Sequence, residues 1–252
     1  MREQPSWLDA QSGEIFQAFS PPHLVCIGII AAVVWLLFIL RHRIRSRTGL
    51  RTLLRWMLAA ILLASEVCLH LWYIHQQVWD ASRTLPLELC SITLLLSIVM
   101  LATRSRLLYQ LLFFAGIAGA LQAALTPNLA YEFPHFRYIQ FFVAHGVIIL
   151  ASLYMTWVEG YRPTWKSVGL AMLFLNVCAL VVWIADVLLD ANYMFLRGKP
   201  DTPSLLDVLG PYPYYIIVEE AVAFVFFSCM LLLFRLLSGK RESISEEVTT
   251  CE

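Results

Sequence analysis

Phe141-Phe142-Val143-Ala144-His145-Gly146-Val147-Ile148-Ile149-Leu150 is apolar on both sides of a single ionisable imidazole. The apolar character runs from about residue 137 to 158, and a bilayer core needs about 20 such residues per helical crossing. The stretch reads as a membrane-spanning helix with a histidine well inside it. An ionisable group in hydrocarbon costs on the order of 2–3 kcal/mol even on lenient insertion scales, which makes it a functional candidate by default. The bland alternative is a histidine hydrogen-bonded to a neighbouring helix for packing alone.

The rest of the chain repeats the pattern. Of 252 residues, 60% are hydrophobic and the mean hydropathy is +0.70, too apolar for a soluble domain of this size. Seven windows are long enough to cross: about 23–41, 52–73, 86–103, 106–125, 137–158, 168–190 and 214–237. The expectation is an all-α seven-helix transmembrane domain over 23–237. An extracytoplasmic tail (1–22) precedes it and a charged cytoplasmic tail (238–252) follows. Nothing in the chain points to a nucleic-acid partner.

Orientation is read from the basic residues, which are retained on the cytoplasmic side. Arg41, Arg43, Arg45, Arg47, Arg51 and Arg55 crowd the first connection. Alternation from there adds Arg104, Arg106, Arg162, Lys166, Arg235, Lys240 and Arg241, so 13 of the 18 Lys and Arg share one side. That asymmetry places the N-terminus outside and the C-terminus in the cytoplasm. The opening 22 residues lack the basic region of a cleavable signal. Trp7, Leu8, Ile15, Phe16 and Phe19 there fit one face of a short interfacial helix ending at Pro21-Pro22, or belong to a polar tail.

Five cysteines (Cys26, Cys68, Cys90, Cys178 and Cys229) fall within spans and Cys251 lies in the tail. Without CxxC or paired external spacing, neither a disulfide framework nor a cysteine zinc site is expected. Phosphate-loop, dinucleotide and HExxH motifs do not occur, and no cofactor or metal is expected. Ala115, Gly119 and Ala123 recur at four-residue steps, a packing stripe for a close neighbouring helix.

The polar residues in the spans collect at one depth. Glu66 and His70 lie in the outer half of span two, and Cys90 lies ~6 Å below the outer end of span three. Gln122 and Thr126 close span four, His145 sits ~12 Å into span five, and Asp186 and Asn192 flank the outer end of span six. The inner halves are almost purely apolar. A polar pocket opening outward is the economical reading, with the long connection from Asp190 to Pro213 as an ordered cap. Arg83, Arg137, Arg197 and Lys199 either form a positive rim for a lipid headgroup or are ordinary interfacial charges.

Each candidate has a plainer role. Buried cysteine usually acts as a small hydrophobe, but Cys90 shares its depth with His145, and a thiol becomes a nucleophile beside a base. Glu66 and His70, four residues apart, pair with each other in the simplest reading. Gln122, Thr126 and Asn192 read first as helix-end partners for backbone, and Asp186 and Asp190 as interfacial groups. Tyr131, Tyr212, Tyr214 and Tyr215 on one side, with Trp157, Tyr161 and Trp165 on the other, read as aromatic belts.

Several segments carry a family resemblance: Leu85-Pro86-Leu87-Glu88-Leu89-Cys90-Ser91, Leu121-Gln122-Ala123-Ala124-Leu125-Thr126-Pro127, Phe133-Pro134-His135-Phe136-Arg137 with Phe141 to His145, and Asn192 to Pro200. Ser204-Leu205-Leu206-Asp207 and Leu209-Gly210-Pro211 continue it. Over about residues 85–215 the chain resembles the YwaF-like bacterial integral membrane proteins. That family is similar to mammalian transmembrane protein 164, a seven-span lipid acyltransferase, and more distantly to androgen-induced lipid hydrolases with a threonine nucleophile and a histidine. The resemblance implies that Cys90 accepts an acyl group and that His145 is its base.

An outward-facing thiol has no ready access to cytosolic acyl-CoA, so the implied donor is a membrane phospholipid. The acyl group would pass to a lysophospholipid or to water, with Gln122, Thr126 or Asn192 near the oxyanion. Two other classes stay open. One is a solute or proton binding or transport protein built on Glu66, His70, His145 and Asp186. The other is a metal-dependent enzyme with Glu66, His70 and His145 as ligands.

Overall fold

The computed structural model describes residues 7–11, 16–200 and 205–249, for 205 and 238–249 the backbone alone. Helices account for its regular structure, with no strand among the described residues. Helix α1 spans Pro21–Ser46, α2 Thr48–His75, α3 Leu89–Thr103, α4 Arg106–Leu112, α5 Ala115–Leu125, α6 Phe136–Trp157, α7 Trp165–Leu189 and α8 Tyr214–Thr249. Taking α4 and α5 as one span, six are long and apolar enough to cross a membrane, and α3 is a shorter apolar helix of 15 residues. The chain is a helical membrane protein.

The helices are not equally wrapped by protein. In α6, 78% of the most apolar window is buried inside the bundle, against 11% in α1, 17% in α7 and 11% in α8. Helix α6 is therefore the central post, touched by α1, α2, α3, α4 and α5. Its buried face carries Ala144, Gly146, Ile148, Ala151 and Met155, and small residues let neighbouring backbones come close. At Gly146 a Cβ would sit only 3.1 Å from Ile30 of α1.

Three expected boundaries shift, each for a local reason. The first connection is a single extended residue, Arg47, because α1 and α2 both continue through most of their arginines, and arginine is a good helix former. Span three begins at Leu89 rather than near 86, because Glu88 is extended (φ −66°, ψ 145°). At the other end of the chain α8 runs on to Thr249, past the expected end near 237; Cys251 lies outside the described residues.

Span four is interrupted. Ser152 of α6, fully buried, donates its hydroxyl to the Leu112 carbonyl at 3.2 Å, and the helix breaks over Phe113 and Phe114. A side chain that captures a ladder carbonyl is a known cause of such a break.

The N-terminal interfacial helix does not appear among the described residues. Residues 7–11 form turns, Ile15 lies outside the described residues, and Pro21 opens α1 rather than closing an earlier helix. Residues 7–11 form a strap instead. The Trp72 indole donates to the Leu8 carbonyl (2.7 Å), Phe136 N–H to the Trp7 carbonyl (2.9 Å), and the Tyr131 hydroxyl to the Ala10 carbonyl (3.1 Å).

His135, at the N-cap of α6, ties the strap to the bundle. Its Nε2 donates to the Asp9 carbonyl (3.1 Å), its Nδ1 accepts from Arg137 N–H (3.1 Å), and its ring stacks on Tyr131 at 4.1 Å. These bonds require neutral imidazole, and burial holds its pKa below the usual 6.5. A depressed histidine stabilises the folded arrangement above about pH 6.5, and that contribution is lost as pH falls through the folded value. Spin labels at Gln11 and Gln77 should therefore give a distance distribution that broadens as pH drops from about 7 to about 5. In His135→Gln the pH response should vanish; if it persists, another group holds the strap.

Candidate functional site

The outer ends of the helices, as the sequence assigned them, meet at one end of the bundle. Helix α2 brings Glu66 and His70 there, α3 brings Cys90, α5 brings Gln122, and α6 brings Arg137 and His145. The arginine-rich ends lie opposite, where Arg55 donates to the Leu101 carbonyl (3.0 Å) and Arg51 faces Glu159 (3.8 Å). The polar residues thus share one end and most basic residues the other.

Cys90 stands in the first turn of α3, and the segment before it is pinned from the connection that follows α7. Tyr193, 2% exposed, accepts from Leu85 N–H (2.8 Å) and donates to the Ala81 carbonyl (3.0 Å). Glu88 accepts from Met194 N–H (3.1 Å). Asp186 is fully buried rather than interfacial: Oδ1 accepts from Tyr193 N–H (2.9 Å), while Oδ2 has no hydrogen bond among the described residues. Non-helical backbone near the end of a short span is tolerated only when protein satisfies it, and Tyr193 does this for Leu85. The Cys90 sulfur faces α5, 3.9 Å from where a Cβ on Gly119 would lie. The small-residue stripe thus packs against the cysteine-bearing helix.

His145 differs from the other buried histidines. His23 accepts from Phe19 N–H (2.8 Å) and donates to the Ala124 carbonyl (2.8 Å), so both its ring nitrogens are engaged. His135 is likewise used on both sides. In His145, Nδ1 lies 2.7 Å from the Phe141 carbonyl one turn earlier and must donate to it, since a carbonyl has no proton. That bond fixes the tautomer and leaves Nε2 as an unprotonated acceptor. Nε2 carries no hydrogen bond among the described residues. Phe141 also covers the ring, with centroids 4.1 Å apart. No hydrogen bond links Cys90 directly to His145.

Glu66 and His70 do pair, Oε1 to Nε2 at 3.3 Å. They line a groove of ≈ 370 Å³ between α2 and α3 whose other walls include Leu63, Val67, Leu71 and Pro86. Arg137 donates to Gln140, which in turn donates to the Ser65 carbonyl (3.3 Å), linking α6 to α2. Other sequence candidates are occupied locally. The Thr126 hydroxyl donates to the Gln122 carbonyl (3.0 Å). Asn192 donates to the Gly198 carbonyl and accepts from Arg197 N–H, both at 2.9 Å.

The proposed rim divides in the same way. Arg197 closes the end of α7 through the Asp186 and Ala191 carbonyls and Asp190. Lys199 faces Asp207 at 3.7 Å. Among the described residues no three His, Cys, Asp or Glu side chains gather to hold a metal ion. Glu66, His70 and His145 therefore do not form the ligand set considered from sequence.

Sequence reasoning passed over Glu88 and Tyr193, and read Tyr215 as part of an aromatic belt. Tyr215 is fully buried and its hydroxyl donates to the Phe195 carbonyl. Glu88 and Tyr193 both lie inside the quoted family segments, which was the available signal.

A post-centred helical bundle with an apolar shell, and with polar side chains gathered at one end, is the architecture of a multi-span helical membrane protein. The chain belongs to the TMEM164 family, whose sequence model matches residues 18–231. The match reaches well beyond the segment 85–215 in which likeness was evident, taking in α1 and α2. No curated protein and no solved structure matches the chain.

The contact at Gly119 makes a measurable demand. A methyl there would meet Leu89 Cδ2 at 3.7 Å and Cys90 Sγ at 3.9 Å, ordinary contact distances. Gly119→Ala should leave the alkylation rate of Cys90 close to that of the unaltered protein, measured with the other cysteines replaced. Gly119→Leu should lose about 1–3 kcal/mol of stability by overpacking and change that rate. Equal rates in both variants would show that α5 does not wall the thiol.

Proposed function

We propose that this protein is a membrane lipid acyltransferase or acyl hydrolase that carries the acyl group on Cys90, with His145 as base and a phospholipid as donor. The observation that carries the reading is the state of His145. It is a buried imidazole with its tautomer set by the Phe141 carbonyl and with Nε2 free. A packing histidine such as His23 has no ring nitrogen to spare. Membership of the TMEM164 family and the Cys90-bearing segment at the same end of the bundle support the same chemistry.

In this reading the chain crosses the membrane seven times, α3 included, with the N-terminus outside and the C-terminus cytoplasmic. The polar end then faces the extracytoplasmic side, as the placement of basic residues favours. The groove beside Glu66 and His70, apolar on most of its walls, suits an acyl chain. Arg137, on the helix that carries His145 and over the Tyr73 ring, is the rim arginine assigned to a headgroup phosphate in this reading.

The Cys90 thiol gives its proton to His145 Nε2 as sulfur attacks the ester carbonyl carbon. The proton crosses through one water, or when substrate closes α3 toward α6, since catalytic contacts are often long before substrate binds. The tetrahedral oxyanion collapses and the ester C–O bond breaks. The departing lysophospholipid oxygen takes the proton back from His145. Water or another lysophospholipid hydroxyl then attacks the thioester, again giving its proton to Nε2; the C–S bond breaks, the departing sulfur takes that proton back, and Cys90 and neutral His145 are restored.

Incubation of the purified full-length protein with phospholipid should give a hydroxylamine-labile acyl adduct on Cys90 by mass spectrometry, absent in Cys90→Ala. Loss of the base typically costs 10²–10⁴-fold, so His145→Ala should slow lipid turnover by roughly that factor. Full lipid remodelling by Cys90→Ala would remove the nucleophile assignment. Unchanged turnover in His145→Ala would remove the base.

A further inference from the structure

The opposite, arginine-rich end holds a second concavity that the acyl chemistry does not use. It has a volume of ≈ 340 Å³ and is lined by Arg106, Gln110, Arg162 and Thr164 around Tyr109 and the Gly160-Tyr161 turn. Its floor is rigid. Tyr109 is 1% exposed, and its hydroxyl lies 3.0 Å from Thr156 and donates to the Tyr161 carbonyl (3.2 Å). The Tyr161 hydroxyl donates to the Arg104 carbonyl (2.6 Å), and the Arg106 guanidinium lies 5.3 Å from the Tyr161 ring centre. Backbone and aromatic contacts therefore fix the turn that carries Arg162.

Gly160 brings a third arginine to this turn. Its φ is +82°, and a Cβ there would lie 3.2 Å from Arg45 Nη2. A side chain would both strain the backbone and push Arg45 away. Among the described residues, Arg45, Arg106 and Arg162 form no ion pair. The nearby carboxylate, Glu159, is already held by Arg51 (3.8 Å) and the Tyr154 hydroxyl (3.0 Å). Retention of basic residues on one side of a membrane accounts for arginines being present. It does not account for a glycine that seats one of them, or for a built turn that holds another.

We propose that this concavity binds the phosphate of an anionic phospholipid headgroup in the leaflet opposite the Cys90 end. Guanidinium groups match phosphate oxygens in pairs, Gln110 adds a neutral donor, and a place at the arginine-rich end of the apolar bundle suits a headgroup. A phosphate monoester, as in phosphatidic acid, carries the charge that best answers several unpaired arginines. The site is independent of the acyl-transfer reading and survives if that reading fails.

The test is binding of phosphatidic acid to the purified full-length protein, followed by native mass spectrometry. Joint replacement Arg106→Gln with Arg162→Gln should weaken binding by roughly 30-fold. Joint replacement Arg43→Gln with Arg47→Gln removes equal charge from the same end outside the concavity, and should weaken it by less than about threefold. Gly160→Leu should also weaken binding by displacing Arg45. Equal losses in the two double variants would mean diffuse surface attraction and overturn the site. Displacement of the lipid by an equal concentration of glycerol 3-phosphate would overturn the headgroup assignment in favour of a soluble phosphate ester.

Discussion

Inside a bilayer every backbone polar group must find its partner within the protein, and this constraint shapes most of the structure. Helix α6 is where it bears hardest, because that helix is the most enclosed. Ser152 reaches from it to the Leu112 carbonyl, Gln140 to the Ser65 carbonyl, and His145 back to its own Phe141 carbonyl. The first bond accompanies the break in span four and the second joins α6 to α2. The third leaves one nitrogen unspent at the centre of the bundle.

The same constraint explains why the polar end is divided into pins and reagents. Tyr193, Glu88, Asn192, Arg197 and His135 hold backbone that is not helical, so their polar atoms are consumed. Cys90 and the Nε2 atom of His145 bond to nothing of that kind. A site for chemistry on an ester needs groups that the scaffold has not already used, together with a scaffold that fixes where they stand.

Much of this was legible in the sequence because hydrophobic windows and basic residues are one-dimensional signals. The apolar runs mark the helices, and the clustering of polar residues toward one end can be counted along each span. The i, i+4 spacing of Glu66 and His70 was enough to anticipate their pairing. Other features depend on partners distant in sequence. Even a partner seven residues on can be hidden: hydropathy does not announce that Tyr193 folds back onto Asp186, so an apparently interfacial carboxylate proves to be buried. The 106–125 window is unbroken in hydropathy, yet a serine 40 residues away captures one of its carbonyls. The strap at 7–11 is too short to carry a periodic signal, and its role shows only once Trp72, Tyr131 and His135 are brought around it. Among the candidate residues, sequence gave depth but not occupancy: Asn192 and His145 look equally available until their hydrogen bonds are known.

The interruption between α4 and α5 has a consequence for how such a protein changes over time. Helix α4 leans on α7 and carries the arginine-lined concavity, while α5 leans on α6 and backs the cysteine. A continuous span would impose one helical phase on both, so that a rotation favourable at one end would be felt at the other. Two short helices with separate registers remove that coupling. Each end of the molecule can then drift, and be selected, on its own.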